Sequence, residues 1–473
     1  MRNKLYKISH ARDTVCIWDI MVVIGLEIHA QLKTGQKIFC ECPTNYRDAE
    51  ANENICPVCT GQPGSKPMAL NQKALENVIR IALALQCELK RDILIQRKHY
   101  FYPDLPSGYQ RTSKPIGING KLGNVRIREV HIEEDPGRYE LRKGTVDYNR
   151  SGIPLIEIVT EPDIKSPEEA RQFLEELNAI LEYLDAGRDE PGSSRIDANL
   201  SIEGGTRVEV KNINSFKGVY TALMYEKVRQ QNMLRRGAEV IRETRHFDEV
   251  SGTTVGLRKK ETEEDYRYFP DPDIPPVLIT KEMIEGVGKE IPELPRQKSD
   301  RFVSDYRIKP DDAWILVSEI ELANLFESMS KELKGKEQAV ASWIRGPLKK
   351  QLNYRDLDFK ASGLRKNDMV LLFKEFSSGA ITDDGMEKAL IEMLDKKIGY
   401  KDVKISLDIE KIVDLSEIEK IVGEVLKKNE KVIEDYKSGN EKSLNFLVGQ
   451  IVKSTKGKAD SRIVKEMIIK KIK

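Results

Sequence analysis

The chain holds little of the material from which the common catalytic centres are built. Its 473 residues include only five histidines, six cysteines and three tryptophans. No Ser-His-Asp or Cys-His arrangement can be named from so few imidazoles. The segment Gly117-Ile118-Asn119-Gly120-Lys121-Leu122 has neither the glycine spacing of a P-loop nor its hydroxyl residue after lysine. A Rossmann fingerprint and the kinase signature set are missing too, so any nucleotide is used on an uncommon scaffold. Apolar runs stop short of the ~20 residues that cross a bilayer. Arg2, Lys4, Lys7, Arg12 and Asp13 interrupt the N-terminus before a secretory apolar stretch can form. A cytoplasmic protein with no membrane partner is expected. The net charge is only +1, so affinity for nucleic acid has to come from local patches.

What is present describes a folded, charged protein. Charged residues make up 33% and hydrophobic residues 39% of a chain long enough for two or three domains. A strand pattern begins at Met21 (Met21-Val22-Val23-Ile24-Gly25-Leu26), and residues 1–20 read as an upstream extension. From there to 298 strands dominate: Val22–Leu32, Arg126–Glu134, Pro154–Thr160, Arg195–Ile202 and Arg207–Asn212. Ser166-Pro167-Glu168-Glu169 opens a helix with a capping serine, a proline at the first position and an acidic first turn. The expected fold class is α+β, a cradle-like mixed sheet at 21–298. The proline-rich stretches Asp271–Pro276 and Pro292–Pro295 mark a change of character. A helical domain is expected at 299–405 and a small all-α tail domain at 406–473, whose final helices cover Ser443–Thr455 and Ser461–Ile472. Lys453, Lys456, Lys458 and Arg462 make that tail basic, which suits phosphate contact but equally a solvated helix face.

Two constellations carry chemistry. Cys40-Glu41-Cys42 and Cys56-Pro57-Val58-Cys59 supply four thiolates across a short polar loop, the complement of a closed tetrahedral zinc site. Four protein ligands leave no open position, so the zinc is expected to be structural. The second is a set of acids inside apolar strands. On Gly25-Leu26-Glu27-Ile28-His29, alternation puts Glu27 and His29 on one face. Val130-His131-Ile132-Glu133-Glu134-Asp135 and Leu155-Ile156-Glu157-Ile158 carry further acids, which are poorly placed there unless something cationic meets them. Carboxylates with one imidazole suit magnesium bound to substrate phosphates. Pairing with Arg97, Lys98, Arg111 and Arg150 would account for the acids as well.

The chain also resembles a known family. Val23–His29, Arg97–Asp104, His131–Asp135, Asp147-Tyr148-Asn149-Arg150, Pro154–Pro162, Val210–Phe216 and Asp265–Pro270 are similar to motifs of tRNA-dependent amidotransferase B subunits. So are Phe446–Gln450 and Lys456–Ala459 in the tail. Nothing here leaves room for the inserted domain of the related archaeal E subunit. The resemblance implies a carbon–nitrogen ligase with glutamine as amido donor, acting beside an amidase A subunit and a small C subunit. Its substrate would be a mischarged tRNA(Gln) or tRNA(Asn), whose Glu or Asp carboxylate is phosphorylated with ATP and then amidated by ammonia from the amidase. It further implies that Glu27, His29, Glu134 and Glu157 hold or neighbour Mg²⁺, with Glu133 the alternative to Glu134. Lys98 would share that catalytic pocket, Asn149 and Arg150 would contact the cofactor, and Lys453, Lys456, Lys458 and Arg462 would contact the tRNA. Two rival readings are a self-sufficient ATP-dependent carboxylate-amine ligase and a non-catalytic, zinc-containing tRNA-binding scaffold.

Overall fold

A computed structural model describes residues 21–258, 266–407, 409, 415–455 and 457–472. The extension at 1–20, Asp265 and Lys456 lie outside the described residues. The chain divides into two compact units, 1–292 and 293–473.

The first unit is built on a twelve-stranded mixed sheet. In chain order its elements are β1 (Val22–Gln31), α1 (Gln72–Ala84), β2 (Glu88–Leu89), β3 (Asp92–Ile93), β4 (Ile95–His99), β5 (Tyr109–Ser113), β6 (Gly117–Leu122) and β7 (Val125–Glu134). There follow β8 (Arg138–Glu140), β9 (Thr145–Asp147), β10 (Pro154–Thr160), α2 (Pro167–Tyr183), β11 (Ser194–Ile202), β12 (Val208–Ile213) and α3 (Phe216–Arg235). The unit closes with β13 (Thr244–Asp248), β14 (Thr253–Arg258), β15 (Phe269–Pro270), β16 (Val277–Leu278) and α4 (Lys281–Lys289). The main path runs β14-β13-β12-β11-β1-β10-β7-β5-β4-β15, so β1 lies near its centre, antiparallel to both neighbours.

Alternation along β1 makes the two faces of the sheet unlike. Val22, Ile24, Leu26, Ile28 and Ala30 are buried. Each large aliphatic among them contributes about 1.5–3 kcal/mol by leaving water. Helix α1 packs on β6 and β7, and α3 packs on β11, β12 and β14. The alternate residues, Val23, Gly25, Glu27 and His29, face a more open space. Helix α2 starts as its sequence predicts: Ser166 Oγ accepts from the Glu169 amide at 3.1 Å, and Pro167 occupies the first turn. Five strands match their sequence-read spans to within a residue or so.

The second unit is helical in the elements described, from Pro295–Tyr306 to Ser461–Ile472. Its apolar residues gather in two clusters. One runs from Phe302 to Ile409, the other from Ile418 to Ile472. In the last two helices Leu444, Leu447 and Ile451 face Val464, Ile468 and Ile472 within the second cluster. Of the two proline-rich stretches, 292–295 falls at the junction between units, whereas the earlier one, 271–276, does not. It lies inside the first unit, where Asp271 is buried and β16 and α4 still follow. Among the described residues no helix is long and apolar enough to cross a membrane.

Candidate active site

Register decides which acids meet. His29 stands opposite Glu157 across β1–β10, Glu157 opposite His131 across β10–β7, and Thr112 opposite Glu133 across β5–β7. Lys98 stands opposite Gln110 across β4–β5. With a side-chain period of two, Glu27, His29, Glu157, Glu133, Gln110 and Lys98 all project from one face. His29 Nε2 lies 3.7 Å from Glu27, 3.6 Å from Glu133 and 3.9 Å from Glu157. Gln110 donates to Glu133 at 3.0 Å and to the Glu134 carbonyl at 2.8 Å.

These groups perturb one another strongly. Burial, then the charges of Glu133 and Glu27, pushes Glu157 well above the carboxylate range. Burial also works to raise Glu133, but Lys98 and then His29 outweigh it and hold that carboxyl below its ordinary value. For Lys98, burial works downward, yet Glu133 and Glu157 keep the ammonium well above the usual lysine range. Burial lifts the Tyr268 phenol to about 12, against the pull of Lys98 beside it. Perturbed groups packed this closely in a cleft mark a functional site.

The set suits a hard divalent ion. Glu27, His29 and Glu157 offer ligand atoms that all lie within 4.8 Å of one another. Among the described residues His29 Nδ1 is buried without a hydrogen-bond partner. Carboxylate oxygens with room for water are what magnesium prefers.

Two cavities flank the cluster. The larger, about 1060 Å³, is lined by Glu27, Lys98, Glu133, Glu157 and Lys211, with Lys114, Arg207, Arg242, Tyr266 and Tyr268 around them. Lys211 is held by Asp197 at 2.7 Å and Glu209 at 3.5 Å. Lys114, Arg207 and Arg242 have no such partner among the described residues. The smaller cavity, about 380 Å³, shares Glu27, Lys98, Glu133 and Lys211 and adds His29, Arg150, Arg195, Phe101 and Tyr102. Glu27, Glu133 and Lys98 therefore form a wall common to both, with Glu157 facing the larger cavity and His29 the smaller.

Several expected site residues sit elsewhere. Glu134, next to Glu133 on β7, points through the opposite face. There its carboxylate accepts from the Arg111 amide at 3.1 Å and from Arg111 Nη1 at 3.1 Å. Arg111 also meets the buried Asp271 at 2.8 Å, which Arg97 contacts at 2.9 Å. This is an ion-pair network behind the sheet, and Glu133 takes the place expected of Glu134. Asn149 is fully buried: its Oδ1 accepts from the Asn54 amide at 2.7 Å and its Nδ2 donates to the Glu50 carbonyl at 2.6 Å. These bonds tie it to the cysteine loop. Arg150 reaches the smaller cavity, but its guanidinium donates to the carbonyls of Pro136 and Gly137 at 2.9 and 2.7 Å. In the second unit Lys453 and Arg462 are exposed and Lys458 is half-buried. Sequence reasoning did not single out Gln110, Lys211, Tyr268 or Asp271. Gln110 meets Glu133 only through the β5–β7 register, and nothing local signalled either it or Asp271.

The four cysteines come together as their spacing predicts. Cys40, Cys42, Cys56 and Cys59 present sulfurs within 4.8 Å of one another, with Cys59 at 4.0 Å from Cys42 and 3.9 Å from Cys56. Tetrahedral zinc with bonds of ~2.3 Å requires sulfurs about 3.8 Å apart. Lys37, a fully buried cation, donates to Cys59 Sγ at 3.4 Å and to the Asn54 carbonyl at 2.9 Å. Its charge offsets part of the negative charge that four thiolates would bring, and its bonds tie the loop to the sheet. Hydrogen bonding from Cys40 and the nearby Lys37 hold the Cys59 thiol down at about 5. The donor set and its closure fit a structural zinc.

An α+β unit with a carboxylate–imidazole–ammonium cluster between two cavities, followed by a helical unit, defines an enzyme-like architecture and not a bare RNA-binding scaffold. Family comparison gives the same division. The family described as the GatB/GatE catalytic domain matches residues 22–285, and the family described as the GatB domain matches 324–472. Relatives named as the B subunit of aspartyl/glutamyl-tRNA(Asn/Gln) amidotransferase occur in Methanothermobacter thermautotrophicus, at 49% identity over 95% of this chain and 99% of the relative, and in Methanobrevibacter smithii, at 49% over 94% and 100%. A third, in Methanococcus maripaludis, is 50% identical over 96% of this chain and 99% of its own length. The chain belongs to the family of aspartyl/glutamyl-tRNA(Asn/Gln) amidotransferase B subunits.

Proposed function

We propose that this chain is the carboxylate-activating subunit of a tRNA-dependent amidotransferase, working in the cytoplasm on Glu-tRNA(Gln) or Asp-tRNA(Asn). The observation that carries the reading is the convergence of Glu27, His29, Glu133, Glu157 and Lys98 around a wall, formed by Glu27, Glu133 and Lys98, that two cavities share. The larger cavity, with Lys114, Arg207 and Arg242 on its lining, takes the ATP phosphates; the smaller takes the aminoacyl end. Lys98 stands at the boundary, where an ammonium orients the transferring phosphoryl group toward the substrate carboxylate. Magnesium, when held by Glu27, His29, Glu157 and Glu133, neutralises phosphate charge. The γ-phosphoryl moves to the carboxylate, ADP leaves, and ammonia displaces phosphate from the acyl phosphate to give the amide. Glutamine-derived ammonia comes from the amidase partner, and a small third subunit completes the complex. The cysteine loop holds zinc and is tied to the 148–149 turn through Asn149 and Lys37. The helices from 299 to 405 connect to a tail domain at 406–473, where Lys453, Lys456, Lys458 and Arg462 contact the tRNA backbone.

The test is amide formation and ATP hydrolysis by the assembled complex with mischarged tRNA, Mg²⁺ and free ammonia, wild type beside Glu157→Gln. Free ammonia removes any dependence on the amidase step. Substrate-dependent activity in the wild type and its loss in the variant are expected. Equal activity in both would remove the assigned site, and inactivity of the wild type on both aminoacyl-tRNAs would remove the function.

A further inference from the structure

Two aromatic side chains at the smaller cavity leave much of their rings open to solvent. Phe101 is 82% exposed and Tyr102 56% exposed, yet both line the cavity whose wall holds the acid cluster. Large aromatics left open beside a polar cleft call for an occupant.

The segment that carries them is held firmly. Gly137 N donates to the Asp104 carbonyl at 2.8 Å, and Tyr148 Oη to the Pro103 carbonyl at 3.0 Å. Gly108, with φ of +70°, brings its backbone under the Phe101 ring; a Cβ there would lie 3.3 Å from Phe101 Cε1. The Tyr102 ring meets Tyr139 edge-on at 6.1 Å. Between these rings and the chemistry runs a hydrogen-bonded chain: Tyr100 Oη donates to Gln110 Oε1 at 3.3 Å, and Gln110 Nε2 to Glu133 at 3.0 Å. Phe101 follows Lys98 by three residues, so their Cα atoms stand at most about 11 Å apart. That is the scale of one nucleoside bearing an esterified amino acid. The Arg195 side chain, which lines the same cavity, makes no hydrogen bond or ion pair among the described residues and is available to a phosphate.

We propose that Phe101 and Tyr102 form a stacking platform for the unpaired terminal base of the aminoacylated RNA, fixing the esterified side chain against Glu133 and Lys98. Every base has a π-face, so the platform reads the single-stranded end of the acceptor, not its sequence. The proposal rests on the functional reading above and adds the subsite that positions the substrate. Phe101 and Tyr102 are positioning residues, since they touch the base and not the reacting carboxylate.

The test uses the assembled complex with free ammonia, comparing wild type, Phe101→Ala, Phe101→Leu and Phe101→Trp. Phe101→Ala and Phe101→Leu should raise KM for the mischarged tRNA by about 5- to 100-fold, and Phe101→Trp should restore it. KM for ATP and elution of the complex should stay as in wild type. Uncharged tRNA carrying 2-aminopurine as its last base should lose fluorescence on binding the wild type but not Phe101→Ala. An unchanged KM for tRNA, or unquenched 2-aminopurine with the wild type, overturns the platform. A raised KM for ATP instead would assign the rings to the nucleotide, and loss of assembly would assign them to a partner subunit; either also overturns it. Wild-type inactivity on mischarged tRNA would overturn the underlying function as a separate result.

Discussion

Glu133 and Glu134 are neighbours with opposite fates, and exchanging each for glutamine separates the site from its scaffold. Glu133 is 2% exposed on the cluster face, while Glu134 is 16% exposed on the network face. Glu134→Gln keeps an oxygen for the Arg111 amide but removes the charge from the 3.1 Å pair with Arg111 Nη1. Losing one partner of a buried pair costs about 3–5 kcal/mol. Arg111 retains Asp271 at 2.8 Å, so the loss is closer to one charge-assisted hydrogen bond, about 1.5–3 kcal/mol. For a unit of this size that lowers Tm by roughly 3–12 °C. Glu133→Gln removes one of three crowded acids and should change Tm by less than about 3 °C, within the range of roughly 1 kcal/mol. Its effect falls on the reaction: losing a group that holds transition-state charge costs about 10²–10³ in kcat. Thermal unfolding of the isolated chain and amidation by the complex read the two effects independently. The strand register is wrong if Glu134→Gln abolishes amidation at unchanged Tm while Glu133→Gln stays active.

Other perturbations follow from the same geometry. Asp271 is held below its ordinary pKa because Arg97, the Asp273 amide and Arg111 outweigh burial, so the unfolded chain binds its proton more readily. Its stabilisation is present above about pH 4 and is lost as pH falls through the depressed value, so Tm measured from pH 5 to 3 should fall less steeply in Asp271→Asn than in wild type. Purified protein should contain one zinc per chain by metal analysis, and Cys59→Ser should lose it together with several degrees of Tm; full metal-free stability would remove the metal assignment. In the tail, Lys453→Ala and Arg462→Ala should each weaken tRNA binding and reduce the slope of log K against log salt by about one, measured by filter binding. An unaltered slope would place the RNA contact elsewhere.

Where local rules decide, the sequence was readable. Alternation located β1, β7 and β10, and the Ser166-Pro167 signal located the start of α2, since both depend on residues a few positions apart. Paired cysteine spacing did the same for the sulfur cluster. Glu133 and Glu134 could not be separated that way, because their sides depend on how β7 registers with β5 and β10. Asn149 and Arg150 looked like polar residues in search of a ligand; their partners are backbone groups of loops distant in sequence. Asp271, set among prolines, carried no signal of its own, because its partners Arg97 and Arg111 come from strands far earlier in the chain.

The central position of β1 has a consequence for synthesis on the ribosome. Glu27 lies on the first strand made, but the residues opposite it are Val159 and Asp197. At roughly 5–20 residues per second, about 10–35 seconds pass before β11 can emerge, and until then the apolar strand has at most one edge paired, by β10. Every N-terminal fragment ending before Ile202 would leave one edge of that strand bare, an invitation to non-native pairing. The first strand made thus has to wait for β10 and β11 before its site residues are enclosed, and holdase protection during translation should matter more to this protein than its helical second half would suggest.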